Sequence, residues 1–213
     1  MKIIKPSIKV LSMIDGISML KQIEKIGRIC YKSEDKISEE SAIAFVKGLI
    51  KRGHEAVLEH EYVTIKFICD RGVSHEIVRH RIASYCQEST RYCNYSKNKF
   101  DEEITVILPT FFDTGMGASS NSNTFDNWKF GCKSAEQAYF NLLRRGATPE
   151  QARTVLPNSL KTELVVTMNL REWRYFFKLR TDRTAHPQIV EVAAMALRKL
   201  QKEIPIVFDD IDY

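Results

Sequence analysis

Apolar positions recur along this chain with two different periods. In "YVTIKFICD" (62–70), Val63, Ile65, Phe67 and Cys69 alternate with Thr64, Lys66 and Asp70, the pattern of a strand with one buried face. Arg71-Gly72 ends it. "EITVILP" (103–109) and "LKTELVVTMN" (160–169) read as further strands. Elsewhere the spacing is three and four. It predicts helices over 15–30 and over "SEESAIAFVKGLIKRG" (38–53), with Ser38 as cap and Gly53 as stop. Residues 73–83 carry Val73, Ile77 and then Ser84 at helical spacing.

Trp128, Cys132, Ala135, Tyr139, Leu142 and Leu143 mark a long helix that stops at Gly146. "TPEQ" (148–151) is a capping box with proline at the first helical position, and its helix should end near Pro157. In "NLRE", Asn169 can cap a helix that has Glu172 at its third position. A last helix starts around Pro187 and aligns Ile189, Ala193, Ala196, Leu197, Leu200 and Ile204. "DTGMGASSNSNTFDN" (113–127) is the one loop-like stretch. This order of elements predicts an α+β fold, with a small and mostly antiparallel sheet flanked by helices. No repeat or linker divides residues 1–213, so one domain is expected.

Composition changes this picture little. The chain has 213 residues, 44% hydrophobic and 28% charged, enough apolar content for a substantial core. A net charge of +5 suits small anions and does not demand nucleic acid. No signal peptide opens the chain, and no window approaches the roughly 18 apolar residues of a membrane span. The five cysteines are odd in number and form no C-x-x-C pair, which points to reduced thiols and a cytoplasmic setting.

Two stretches carry chemistry. In "NLREWRYFFKLR" (169–180), Trp173, Phe176, Phe177 and Arg180 share one helical face, so a guanidinium sits within an aromatic stripe. It needs a partner there. Asp182 or the acidic C-terminus could supply it, and so could a planar ligand with carbonyl oxygens or negative charge. In "RHRIASYCQESTRY" (79–92), His80 falls on the stripe of Val73 and Ile77, with Arg81 beside it and Ser89 and Arg91 close behind. Arginine forks with serine hydroxyls and backbone N–H groups are what phosphate recognition requires.

The second stretch resembles a family. Arg79-His80-Arg81, then Ser84, Ser89, Arg91 and Tyr92, follow the R-H-R-x-x-S-x-x-x-x-S-x-R-Y signature of the flavin-dependent thymidylate synthases. "GHEAVLEH" (53–60), "ARTVLP" (152–157) and "NLREWRYFFKLR…AHPQ" (169–188) are similar to other segments of that family, in the same order.

The resemblance implies an enzyme that makes dTMP from dUMP, with methylenetetrahydrofolate as carbon donor and NADPH as reductant through FAD. It implies a homotetramer with shared active sites and a non-Rossmann FAD site at subunit interfaces. It places dUMP against Glu76, Ile77, Val78, Arg79, Gln87, Glu88, Ser89, Thr90, Arg91, Arg153 and Arg180, with Arg153 reaching in from a neighbouring subunit. Arg180 would be the catalytic cation at the pyrimidine edge, and Ser89 a positioning group. FAD would be held by Ala56, Arg79, His80, Arg81, Gln87, Asn169, Leu170, Arg171 and Tyr175, with His54 near flavin and folate. Against the family's pattern, Glu76 replaces a frequent glutamine, Gln87 a glutamate and Cys86 an asparagine. Cys30 replaces a serine, Ala56 a threonine, and Tyr175 an asparagine or histidine.

Three rival readings stand beside this one. A zinc site from His75, His80, Cys86 and Cys93 has spacings that fit no common structural site, so no metal is expected. "GMGASS" (115–120) has two glycines at the spacing of a dinucleotide fingerprint but lacks the third. An RNA-binding module could use Arg79, Arg81 and Arg91 with Tyr85, Tyr92 and Tyr95 for charge and stacking.

Overall fold

The computed structural model describes residues 1–113 and 122–213, so the glycine pair of 115–117 lies outside the described residues. Its fold is α+β, with a small, mostly antiparallel sheet flanked by helices. The strands are β1 (Lys2–Ile4), β2 (Ser7–Val10), β3 (Tyr62–Asp70), β4 (Ser84–Gln87), β5 (Thr105–Ile107) and β6 (Lys161–Asn169). The four-stranded sheet has the order β2-β3-β6-β4, while β1 and β5 form a separate parallel pair with Lys2 opposite Thr105. The helices are α1 (Gly16–Ile29), α2 (Ser41–Lys51), α3 (Arg71–Ile77), α4 (Thr110–Asp113), α5 (Ser122–Arg144), α6 (Pro149–Ala152), α7 (Leu170–Arg180) and α8 (Pro187–Glu203).

The chain divides into two compact units, and β3 and β6 each contribute residues to both. The first unit comprises 1–7, 67–79 and 86–164. Its core gathers Tyr95, Ile104, Val106, Cys132, Tyr139 and Leu160, with α5 laying Cys132 and Tyr139 onto the short strands. Thr148 and Gln151 close the expected capping box at the start of α6. The second unit comprises 8–66, 80–85 and 165–213. Here α1 packs on α2, and α7 packs on α8 and on a 3-10 helix over Glu55–His60. Leu20, Ile23, Leu58, Ile65, Trp173, Phe176, Phe177, Leu197 and Phe208 are fully buried in it. Each such side chain contributes roughly 1.5–3 kcal/mol of burial.

Local expectations hold where a signal is confined to a few residues. The inward row of β3 is buried at all four expected positions, Val63, Ile65, Phe67 and Cys69. Gly53 and Gly146, just past α2 and α5, have φ of 71° and 91°, which side chains resist and glycine accepts. Ser38 does not cap α2 through its side chain; its carbonyl accepts a hydrogen bond from the Ser41 hydroxyl, and the helix starts at Ser41.

Two further expectations need correction. The helix expected over 73–83 stops at Ile77, and 84–87 is a strand. His80 is still buried, but past a turn at 78–79 and against Phe176 of α7. The loop expected over 113–127 is helical from Ser122 onward. The opening ten residues contain β1 and β2, which the sequence reading did not assign.

Candidate active site

Within the second unit the site is built on α7. The Asn169 Oδ1 accepts the Glu172 N–H at 2.8 Å and caps the helix as expected. The stripe behind it is a packed aromatic cluster: Trp173 and Phe177 stack at 5.5 Å, and Phe176 meets Trp173 edge-on at 5.4 Å. The Trp173 Nε1–H donates to the Val63 carbonyl at 3.0 Å, so the ring buries no unpaired donor. That fixes where the rest of α7 points.

At the C-terminal end of this stripe Arg180 is half-buried, and its Nε–H donates to His80 Nε2 at 3.1 Å. His80 is 3% exposed and lies edge-on to Phe176 and Tyr175, with ring centres 4.9 and 5.5 Å away. Burial, and then the Arg180 charge, hold its pKa down to about 4 from the ordinary 6.5. His80 is therefore neutral near pH 7. Because Nε2 accepts from Arg180, the proton sits on Nδ1. That atom lies 3.4 Å from Glu172 Oε1 without closing a hydrogen bond, so it is buried and unsatisfied. The Tyr85 hydroxyl donates to the His80 carbonyl, and burial pushes its pKa up to about 12.

Beside this trio lies a cavity of about 470 Å³ lined by Glu55, Glu59, Ile82, Asn169, Arg171, Glu172, Tyr175 and Lys178. Its size suits a small organic ligand. Arg171 reaches Glu59 across 2.5 Å, and burial raises the Glu172 carboxyl above its ordinary range. Of the residues expected around FAD, Asn169, Arg171 and Tyr175 line the cavity, and His80 packs against Tyr175. His54, Ala56 and Arg81 are exposed and outside its lining, while Leu170 is in the core.

One functional-looking residue escaped sequence reasoning. Arg174 is fully buried, and its guanidinium makes two bonds to Glu55 Oε1, at 3.1 and 3.0 Å, and a bidentate pair with Asp210. It also donates to the Val207 carbonyl. Of the acidic C-terminus, Asp210 is thus committed to Arg174, and Asp182 accepts from Thr184. The only signal for Arg174 was its place beside the aromatic stripe, one residue from Trp173.

Within the first unit the segment after β4 is held from β6 and α6. Gln87 Nε2 donates to Ser74 Oγ at 2.9 Å and to Thr162 Oγ1 at 3.2 Å. The Ser89 carbonyl accepts from the N–H groups of Tyr92 and Cys93, which makes 89–93 a tight turn. The Ser89 hydroxyl oxygen takes the Arg91 N–H at 3.3 Å. Thr90 is buried, and its Oγ1 accepts from Arg153 Nη1 at 3.4 Å within the same chain. Arg91 meets Glu150 at 3.0 Å on the exposed surface, a pair worth little on its own. Ile77 is core, Val78 and Arg79 are exposed, and Glu76 is half-buried.

No group of three His, Cys, Asp or Glu side chains placed to hold a metal ion occurs among the described residues. Of the tyrosines proposed to stack on RNA, Tyr95 is 5% exposed and Tyr85 is tied to His80, which leaves Tyr92 alone in solvent.

Comparison with known proteins identifies the family. A family model described as thymidylate synthase complementing protein matches residues 13–206. The chain is similar to the flavin-dependent thymidylate synthase of Pyrococcus abyssi, with 35% identity over 80% of this chain and 67% of that protein. It is 38% identical to the protein of the same name from Pyrococcus horikoshii, over 79% of this chain and 66% of the relative. For that of Geobacter sulfurreducens the identity is 33%, over 86% and 78%. The chain therefore spans about two thirds of the two archaeal relatives and more of the bacterial one. With the family model covering nearly all of its described length, the chain belongs to the flavin-dependent thymidylate synthase family.

Proposed function

We propose that this protein methylates dUMP reductively to dTMP, taking the one-carbon unit from methylenetetrahydrofolate and the reducing hydride from NADPH by way of FAD. Family membership supports the reaction. The observation that carries the site is Arg180, fixed by neutral His80 at the end of an aromatic face. RNA binding has no support in the fold or the relatives.

FAD fits the residues present in the second unit. The cavity offers Arg171 and Lys178 as cations for phosphate, carboxylates as acceptors for ring N–H groups, and Tyr175 and Ile82 as an apolar wall. His80 adds a buried Nδ1 without a hydrogen-bond partner. Asn169, Arg171, Tyr175 and His80 would hold the cofactor there, while the family resemblance adds Arg81, Arg79, Gln87, Ala56 and His54, which the assembled oligomer would have to bring to it. Bound there, FAD supplies the hydride chemistry.

The chain's own residues then have three tasks. Arg91, Arg153, Ser89 and backbone N–H groups of the 89–93 turn bind the dUMP phosphate, which suits guanidinium forks and a turn. Arg180 faces the pyrimidine edge and stabilises charge on the C4 oxygen, which makes C5 a better nucleophile without a covalent protein group. His80 keeps Arg180 in place: its Nε2 lone pair is available to the guanidinium only while the ring stays neutral.

The assembly we propose is a homotetramer with active sites shared between subunits. Large exposed apolar side chains support it, among them Tyr31, Ile82, Tyr92 and Phe130 at 68–79% exposure. Arg153 is exposed and can serve a neighbouring subunit. A cytoplasmic setting agrees with five cysteines that form no disulfide. No helix among the described residues is long and apolar enough to cross a membrane.

The test is direct. Purified protein should be yellow and convert dUMP to dTMP only when methylenetetrahydrofolate and NADPH are both present. Colourless protein that stays inactive with added FAD would reject the reading.

A further inference from the structure

Glu88 lies in the segment proposed to bind dUMP, yet both of its carboxylate oxygens are already engaged inside the first unit. Lys161 Nζ donates to Glu88 Oε2 at 2.9 Å, and the Tyr95 hydroxyl donates to Oε1 at 3.3 Å. The same ammonium reaches Glu163 Oε1 at 2.9 Å, and the Glu88 backbone N–H donates to the Glu163 carbonyl at 2.9 Å. Tyr95 is 5% exposed and anchored in the core. The Lys161 and Glu88 side chains are only 20% and 13% exposed, so solvent screens this pair less than a surface one.

We infer that Lys161 is a positioning residue for dUMP: it neutralises Glu88 and pins the start of the 89–93 turn to β6. This rests on the reading of 87–91 as the nucleotide segment. Two carboxylates, Glu88 and Glu163, flank a stretch that must receive a phosphate dianion. Without a cation between them they would repel it. Lys161 supplies that cation without touching the nucleotide. Burial alone would lower its pKa, but the hydrogen bonds to Glu88 and Glu163 outweigh burial and raise it, so the ammonium stays charged. Tyr95 and Lys161 also tie the Glu88 side chain to the protein, which keeps its carboxylate from a ligand at 89–91. Glu88 on this account is an anchor, in contrast to the direct dUMP contact implied by the family resemblance.

The experiment uses the FAD-loaded full-length protein and compares Lys161→Met, Lys161→Gln and the pair Lys161→Met/Glu88→Gln, with Arg91→Ala as a control of the segment. Calorimetry gives the dUMP Kd, and steady-state assays separate KM from kcat. Lys161→Met and Lys161→Gln should each raise Kd and KM about tenfold, about 1.4 kcal/mol, with kcat within about twofold and flavin content unchanged. Removing the more buried of the two stranded charges in the double variant should recover most of the lost affinity, since Glu163 is 39% exposed against 13% for Glu88. The Kd ratio of Lys161→Gln to wild type should shrink toward one as KCl rises, which a purely structural defect would not produce. Wild-type dUMP affinity in Lys161→Gln, together with weakened binding in Arg91→Ala, overturns the inference and leaves the nucleotide segment standing. Unchanged dUMP affinity in both overturns that segment, and the inference with it.

Discussion

Replacing Arg174 with methionine tests how the second unit holds Glu55, one of the residues lining its cavity. The guanidinium is 1% exposed and serves Glu55, Asp210 and the Val207 carbonyl at once. Methionine fills most of the volume and removes every bond. Glu55, 19% exposed, then keeps a carboxylate without its main partner, and the Val207 carbonyl loses its donor. Breaking a buried pair from one side costs about 3–5 kcal/mol. Asp210 is 45% exposed and can rehydrate, so its share is small and the total should lie near the lower end, about 3 kcal/mol. Asp210→Asn keeps the guanidinium paired with Glu55 and should cost about 1 kcal/mol.

Urea unfolding followed by Trp fluorescence and far-UV circular dichroism, at one protein concentration, reads both variants. A pH series adds a sign. Hydrogen bonds from Arg174 hold the Asp210 carboxyl below its ordinary range. The stability from that contact is present above the ordinary carboxylate pKa of about 4 and is lost as pH falls through the lower folded value. Arg174→Met should lack this acid-side loss. Equal urea midpoints for wild type and Arg174→Met, or an equal cost for the two variants, would refute the assignment of Arg174 as the buried hub.

Two further outcomes follow from the same geometry. Arg180→Ala should retain bound flavin and lose dTMP formation by about 10²–10³, the usual effect of removing one preorganised charge; near wild-type turnover would reject its role. His80, held near 4 against an ordinary 6.5, favours the folded state only while neutral. Its contribution is fully present above about 6.5 and declines as pH falls toward 4, so His80→Gln should flatten unfolding free energy across that window. The same slope in both proteins would show that His80 does not titrate as described.

Much of α7 was legible because its signals are local. Asn169 caps a helix whose Glu172 N–H is three residues away, and the stripe of Trp173, Phe176 and Phe177 follows from helical spacing alone. The inward row of β3 was legible for the same reason, at period two. Arg174 was not, because its partners stand 119 and 36 residues away in sequence and nothing local distinguishes it from a solvated arginine. The end of α3 at Ile77 was hidden too: helical spacing continued through His80, whose contacts with Phe176 and Tyr175 lie about a hundred residues away in sequence. At the site, the residue types of 79–92 raised the expectation of anion binding, while their internal commitments were invisible. Gln87 is spent on Ser74 and Thr162, and Glu88 on Lys161 and Tyr95. The pairing of β1 with β5 joins segments about a hundred residues apart, which no short window reports.

The central claim is that guanidinium groups from separate stretches of sequence gather around one flat, anionic guest. A crystal structure of the assembled protein with FAD and dUMP bound tests it most directly. Arg91 and Arg153 should lie at the dUMP phosphate, Arg180 at the pyrimidine edge still hydrogen-bonded to neutral His80, and the flavin beside Arg171 and Tyr175. Those arginines turned into solvent, with the nucleotide seated elsewhere, would contradict it.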